Sequence, residues 1–306
     1  MIEIKECCWW KGNESEVDYE GDGSNLNIKV TSLHLFDNCM LNNFDISMFL
    51  YLKSVKIGNE CFNEVKTFRI EGMSKLKSIM IGFNSFTQKK NCWGRDESKS
   101  FHIVNCESLE SIDIGDYSFS DFAGDLELKN LPELELISIG YCGSDSFNFY
   151  ESSFEMRGRK IRFRYEILDF PKLKSIQLGD GTFGNSHTFN IERLDNLELI
   201  DIGSNCFSGV RTFNINGMNK LKQLNIGANS FTQKRKYWGT NPSKSFHIIN
   251  CESLESIEIG ENSFSDYSGA FELKNLKSLQ SIKIGLMTFE FLNFYSCTLQ
   301  IRGLTQ

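Results

Sequence analysis

The side chains with most capacity for chemistry in this 306-residue chain are four histidines, two tryptophan-bearing basic segments and a column of polar residues that includes carboxylates. His102 and His247 hold the same place in the phrase S-F-H-I. A metal site shared between them would require adjacency. They lie five repeat units apart, about 24 Å at 4.8 Å per stacked strand. They therefore read as outward-facing residues copied by duplication, and as candidate contacts rather than ligands. A column at the middle of the phrase I-x-I runs Lys56, Met80, Asp113, Ser138, Gln177, Asp201, Asn225, Glu258 and Lys283. Asp113 and Asp201 are three units apart, about 14 Å by the same spacing, which is too far for the paired carboxyls of a glycosidase. There is no G-x-S-x-G elbow, P-loop, dinucleotide-binding glycine pattern or H-E-x-x-H. These observations predict no catalytic residues, no metal and no cofactor, and they point to binding as the function.

Three segments longer than the repeat offer candidate contacts. TQKKNCWGRDESKS carries Trp93, Arg95 and Lys99, and its copy TQKRKYWGTNPSKS carries Trp238 and Lys244. An indole beside cations on an exposed loop has the composition of an interface anchor. The alternative is a loop folded back with its indole packed on its own coil. If both loops are exposed, they provide two equivalent contacts. A third segment contains Arg157, Arg162 and Arg164, and in IRFRY the cations alternate with Ile161, Phe163 and Tyr165. Alternation places the cations on one strand face, either as a basic stripe for an acidic partner or as a charged edge.

Internal repetition indicates what must position these residues. I-x-I-G or a variant ends at Gly58, Gly82, Gly115, Gly140, Gly179, Gly203, Gly227, Gly260 and Gly285, and Leu33-His34-Leu35 forms a degenerate first copy. The shortest interval is 24 residues, and longer units occur in three places. A full unit reads Phe68, Ile70, Met73, Leu76, Ile79, Ile81, Gly82, Ser85, Phe86. Alternation in F-x-I and I-x-I is the period of a strand. Glycine after the second strand is expected to let the chain turn. A single coil buries too little apolar surface to offset its ordering entropy, so the coils must stack. The predicted fold is an all-β-dominated solenoid of about ten coils, with parallel strand ladders and little helix. Residues 1–30 form a cap or tail and residues 31–306 the array. Val65–Leu131 and Val210–Leu276 align at an offset of 145 with 45 of 67 positions identical, so a five-coil block has been duplicated.

Cys106, Leu109, Ile112 and Ile114, followed by Gly115, Ser118 and Phe119, spell C-x-x-L-x-x-I-x-I and I-G-x-x-S-F. Cys251, Leu254, Ile257, Ile259, Gly260, Ser263 and Phe264 repeat it. This combination resembles the BspA-like (Treponema pallidum-type) leucine-rich repeats across roughly residues 33–303. The resemblance implies a curved leucine-rich-repeat-like solenoid used for adhesion or protein–protein contact.

Composition narrows the partner. A net charge of −7 argues against nucleic acid as the partner. No stretch is long and apolar enough to span a membrane, and the N-terminus lacks the plan of a secretory signal. The ten cysteines include no C-x-x-C. Cys61 and Cys206 share a slot held elsewhere by Ser85, Ser118, Thr182, Ser230, Ser263 and Thr288, which marks them as small buried fillers in a reducing compartment. The C-terminal LQIRGLTQ lacks a polar cap, which predicts self-association through the last coil or a longer parent chain. The expected function is a cytoplasmic, non-enzymatic protein-binding scaffold. The alternative is a surface or secreted adhesin exported by a signal outside this sequence.

Overall fold

The computed structural model describes residues 30–47, 49–141, 143, 145–157, 159–162, 165–168, 170–233, 240–285, 293–294 and 297–302. The expected cap or tail at 1–30, apart from Val30, lies outside them, as do Arg164 and Trp238. The described residues contain strands, turns and bends and no helix.

Ten strands, one per coil, form a continuous parallel sheet. In order they are β1 (Ser32–Leu35), β2 (Ser54–Ile57), β4 (Ser78–Ile81), β6 (Ser111–Ile114) and β8 (Leu136–Ile139). The order continues through β12 (Ser175–Leu178), β14 (Leu199–Ile202), β16 (Gln223–Ile226), β18 (Ser256–Ile259) and β20 (Ser281–Ile284). The F-x-I phrases form a second, interrupted ladder. Its parts are β3 (Thr67–Glu71), β5 (Ser100–Val104) and β7 (Leu126–Lys129), then β9 (Phe154–Arg157) beside β13 (Phe189–Glu192). It ends with β15 (Thr212–Asn216), β17 (Ser245–Ile249), β19 (Ala270–Lys274) and β21 (Thr298–Arg302). The all-β solenoid expected from the repeat is the observed architecture.

The basic segment departs from expectation. β10 (Arg159–Arg162) and β11 (Tyr165–Leu168) pair antiparallel, with Arg162 opposite Tyr165. IRFRY is thus divided between two strands, with Arg162 closing the first and Tyr165 opening the second, where one strand was expected. Alternation over five residues did not reveal that the chain reverses within them.

Between the ladders the core is organised by rings. Phe62, Phe86, Phe119, Phe149, Phe183, Phe207, Phe231, Phe264 and Phe294 stack in one file, with neighbouring centroids 4.8–5.7 Å apart. That is close to the strand spacing, so one ring per coil fills one slot, and this file takes nine of the 26 phenylalanines. A second file, including Phe68, Phe101, Phe189, Phe213, Phe246 and Phe271, meets the first edge to face. Each phenylalanine of the first file sits at positive φ, as at Phe119 (57°) and Phe231 (56°). A left-handed backbone costs an ordinary residue roughly 1–2 kcal/mol, and burial of the ring offsets that.

The glycines do not act as expected. Gly227 is absent from the positive-φ residues, whereas Gly140 (φ 69°) does turn left-handed. A β-carbon at Gly227 would lie 2.4 Å from the Ser204 amide nitrogen and 2.5 Å from the Gly203 carbonyl carbon. The glycine column lets coils pack backbone to backbone, and the left-handed turns fall to residues such as Asn84 and Phe86.

The serine slot bridges coils. The Ser85 hydroxyl donates to the Gly58 carbonyl (2.8 Å) and accepts from the Cys61 amide (3.1 Å), while the Ser85 amide donates to the Ser118 hydroxyl (2.9 Å). Ser230 repeats this with Gly203, Cys206 and Ser263. Cysteine in the slot is more than filler: the Cys61 thiol donates to the Phe36 carbonyl and accepts from the Cys39 amide, like the hydroxyl it replaces. In the unit after Gly140 and in the last unit, asparagine takes the slot. The Asn148 amide donates to Gly115 and Ser118, and Asn293 to Gly260 and Ser263. Thr288 lies outside the described residues. At the C-terminal end Ile282, Ile284, Leu299 and Ile301 are 40–56 % exposed, so the last rungs show apolar ladder residues.

Candidate binding surface

On the ten-stranded sheet, residues inside I-x-I alternate with core residues and point away from the rings. Parallel register aligns His34, Lys56, Met80, Asp113, Ser138, Gln177, Asp201, Asn225, Glu258 and Lys283 into one outward column. Beside it runs a column that follows the glycines: Asn59, Phe83, Asp116, Tyr141, Asp180, Ser204, Ala228 and Glu261. Toward the N-terminal half Met80 (44 %), Phe83 (44 %) and Tyr141 (55 %) make this face apolar and exposed. Further along, small residues follow the glycines, and a hollow of about 470 Å³ opens over Gly203, Gly227 and Gly260. Asp180, Asp201, Asn225, Glu258, Glu261 and Lys283 line it.

The electrostatics of this face are unusual for exposed carboxylates. Burial pushes Asp113 above the ordinary aspartate range, opposed by a hydrogen bond with Ser138. Its Oδ1 is buried without a hydrogen-bond partner. Burial likewise raises Asp201, opposed by Asn225. The nearby charge of Asp113, then burial, then Asp116, raises the Tyr141 phenol. The Asp180 carboxylate accepts from the Ser204 amide at 2.7 Å, and Lys283 pairs with Glu258.

The tryptophan insert is folded back. Trp93 is 49 % exposed and stacks on Tyr150, centroids 4.7 Å apart and planes at 20°. Asn84 and Asn91 clasp its base with two hydrogen bonds, and the Gly94 and Asp96 amides donate to Ser120 and Asp121 on the next coil. Its cations meet carboxylates of the same chain. Lys90 pairs with Glu60, and Arg95 with Glu97 and, at 3.9 Å, Glu151.

Lys99 and Lys244 are not surface contacts. Each side chain is 1 % exposed, and the ammonium of each lies 2.9–3.0 Å from a buried carboxylate, Asp121 or Asp266. Phe122 and Tyr267 lie under the ammonium groups, at 5.4 and 5.2 Å. A buried ammonium requires such a partner, and each pair fastens an insert to the following coil.

The histidines face outward but are largely covered. His102 lies 3.4 Å from Glu127 and His247 3.4 Å from Glu272, each across one rung. They occupy separate ladders, as duplication predicted. Arg157 ends β9 opposite Glu192, and Arg162 ends β10. The structure therefore does not gather the eight described candidate residues into one site. What the sequence reading missed is the column after the glycines, together with Tyr150 and Glu151 as partners of the insert. The available signal was that the residue after each I-x-I-G changes type from coil to coil.

No family model, no curated protein and no solved structure matches this chain. Among the described residues no helix is long and apolar enough to cross a membrane, and no three His, Cys, Asp or Glu residues form a metal cluster.

Proposed function

We propose that this protein is a non-enzymatic binding scaffold, and that its ligand lies on the outward face of the ten-stranded sheet rather than on the inserts. One observation carries the reading. Between the duplicated blocks 45 of 67 positions are identical, including Phe68/Phe213, Ser85/Ser230, Phe86/Phe231 and Leu109/Leu254 of the core. On the face every pair differs: Met80/Asn225, Phe83/Ala228, Asp113/Glu258 and Asp116/Glu261. Lys56/Asp201 and Ser138/Lys283, related by the same offset, differ too. A ring core held constant beneath a face that differs at every position fits a solenoid used for recognition. The inserts differ as well, at six of fourteen positions, but what they retain, Trp93/Trp238 and Lys99/Lys244, includes residues with partners inside the molecule. The resemblance to BspA-like leucine-rich repeats supports the same class of function, and free cysteines in slots that also accept serine fit an intracellular setting.

Affinity capture tests this with three chains: the natural protein, Gln177→Arg with Asn225→Arg on the face, and Trp93→Ala with Trp238→Ala on the inserts. A partner held by the natural chain should be lost with the face variant and kept with the insert variant. Amide-exchange protection of the complex should fall on β8 through β18. The opposite pattern moves the site to the inserts and removes the proposal.

A further inference from the structure

We infer that the ligand of this face is an extended peptide segment carrying an apolar or aromatic side chain followed by lysines or arginines. The inference rests on the face being the binding surface and adds the chemistry of the occupant.

From the rung of β4 to that of β18, the outward and post-glycine columns hold Asp113, Asp116, Asp180, Asp201, Glu258 and Glu261 and no lysine or arginine. Elsewhere on the surface, carboxylates are neutralised rung by rung: Lys77–Glu110 (2.6 Å), Lys174–Glu135 (2.8 Å) and Lys222–Glu198 (2.7 Å) precede the same strands. These six acids form an acidic stretch of the accessible face, bounded at its end by Lys283, which pairs with Glu258. Burial makes the charges of Asp113 and Asp201 costly there. A cation from outside relieves that cost, and guanidinium or ammonium groups match carboxylates in charge and geometry.

The face is also divided. Met80, Phe83 and Tyr141 expose apolar surface on the third and fifth rungs, and the hollow walled by Asp180, Asp201, Glu258 and Glu261 covers the sixth to ninth and closes at Lys283 on the tenth. From Tyr141 to Glu258 is four rungs, about 19 Å at 4.8 Å each, which an extended peptide spans with about six residues. A polyamine would satisfy the acids and leave the aromatic end uncovered. Nucleic acid would be repelled along the whole face. The duplication agrees with this division, because Asp113/Glu258 and Asp116/Glu261 keep their charge whereas Met80/Asn225 and Phe83/Ala228 lose the apolar group.

The test uses the intact chain and three fluorescein-labelled decapeptide pools read by polarisation. The first has Phe, Tyr or Leu near one end and three Lys or Arg residues three to six positions on. In the second the basic residues are Glu, and in the third the apolar residue is Ser. The first pool should bind about tenfold or more tighter than either control, and weaken as salt rises. Asp201→Asn with Glu258→Gln and Glu261→Gln should weaken it by about tenfold, while Phe83→Ser with Tyr141→Ser should erase the preference over the serine pool. Trp93→Ala should change nothing. Circular dichroism confirms that each variant is folded. Equal binding of all pools, equal displacement by spermine and by peptide, or indifference to the triple variant overturns the inference. If no peptide binds, yet the face variant loses a captured partner, the basic-peptide chemistry falls and the face remains. If the first pool binds but protects residues outside β4–β18, the face reading falls instead.

Discussion

Replacing Lys99 with methionine removes one charge of a pair that the fold has sealed from water, and leaves the stem in place to pack on Phe122. The Lys99 ammonium lies 2.9 Å from Asp121 Oδ2, with side-chain exposures of 1 % and 4 %. Asp121 Oδ2 also accepts the Gln88 amide, while its Oδ1 has no hydrogen-bond partner, so the carboxylate depends heavily on the lysine. With so little solvent to screen the pair, breaking it from one side should cost about 3–5 kcal/mol. That corresponds to roughly two to four decades in the opening equilibrium. Asp121→Leu alone should cost a similar amount, for the stranded ammonium. The charge-free double, Lys99→Met with Asp121→Leu, should recover most of the loss, because no buried charge remains.

Solenoids open locally, so a single global transition would understate the effect. Amide exchange resolved on peptides covering 88–99 and 120–124 should show the single variants exchanging hundreds-fold faster or more there, and near natural rates on β14 and β16. Lys244→Met gives an internal replicate at Asp266. There burial pulls the lysine below its ordinary range while Asp266 opposes it. A cost below about 1 kcal/mol for Lys99→Met, or a double variant as damaged as the worse single, refutes the account of a required buried pair.

Four further outcomes follow from the same geometry. Gly227→Ala should destabilise by about 1–3 kcal/mol through collision with the Ser204 and Gly203 backbone. Gly72→Ala meets nothing within 4 Å and should cost only about 1 kcal/mol for its φ of 69°, so equal losses in urea titrations would undo the close-packing explanation. Phe119→Ala, which deletes a ring stacked 4.8 Å from Phe86 and 5.1 Å from Phe149, should cost about 3–5 kcal/mol by denaturant titration. Burial pushes the Cys251 thiol from 9.0 to about 11, so the folded chain keeps a proton that the unfolded chain gives up. That contribution is complete below about pH 9 and lost as pH rises toward 11. The stability difference between the natural chain and Cys251→Ser should therefore shrink over that interval and stay flat from pH 6 to 8. Brief iodoacetamide treatment at pH 8, read by peptide mass spectrometry, should label exposed Cys92 and spare buried Cys106 and Cys251.

The repeat made most of the fold legible because its signals are local and redundant. The I-x-I alternation fixes which residues point inward, and the unit length fixes that the next coil stacks on the last. Where the reading failed, the cause lies in contacts between coils. Lys99 and Asp121 are 22 residues apart and meet only once the insert has folded onto the next coil. Before register is known, a lysine among Ser98, Ser100 and Glu97 looks like a solvated loop residue. The same holds for Trp93, whose partner Tyr150 lies two rings further along the file. Gly227 was assigned the right residue type for the wrong reason, since a turn is a local cause and a backbone 2.4 Å away is not. The reversal between β10 and β11 falls inside a phrase whose pattern fits one strand as well as two.

The accessible face was half legible for a related reason. Its outward column follows from strand alternation, but the neighbouring column and the hollow depend on what stands beside what after stacking. Once register is known, the duplication becomes an internal comparison of two surfaces on one scaffold. Ring files, hydroxyl bridges and buried lysine pairs recur because a change in any of them disturbs the coils above and below. The face can change at no such cost, and it has: apolar groups at Met80 and Phe83 give way to Asn225 and Ala228, while acids at 113 and 116 remain acids at 258 and 261. Retained acidity beside altered shape is the pattern expected if both halves meet the same basic ligand, and only the first half also anchors its apolar side chain.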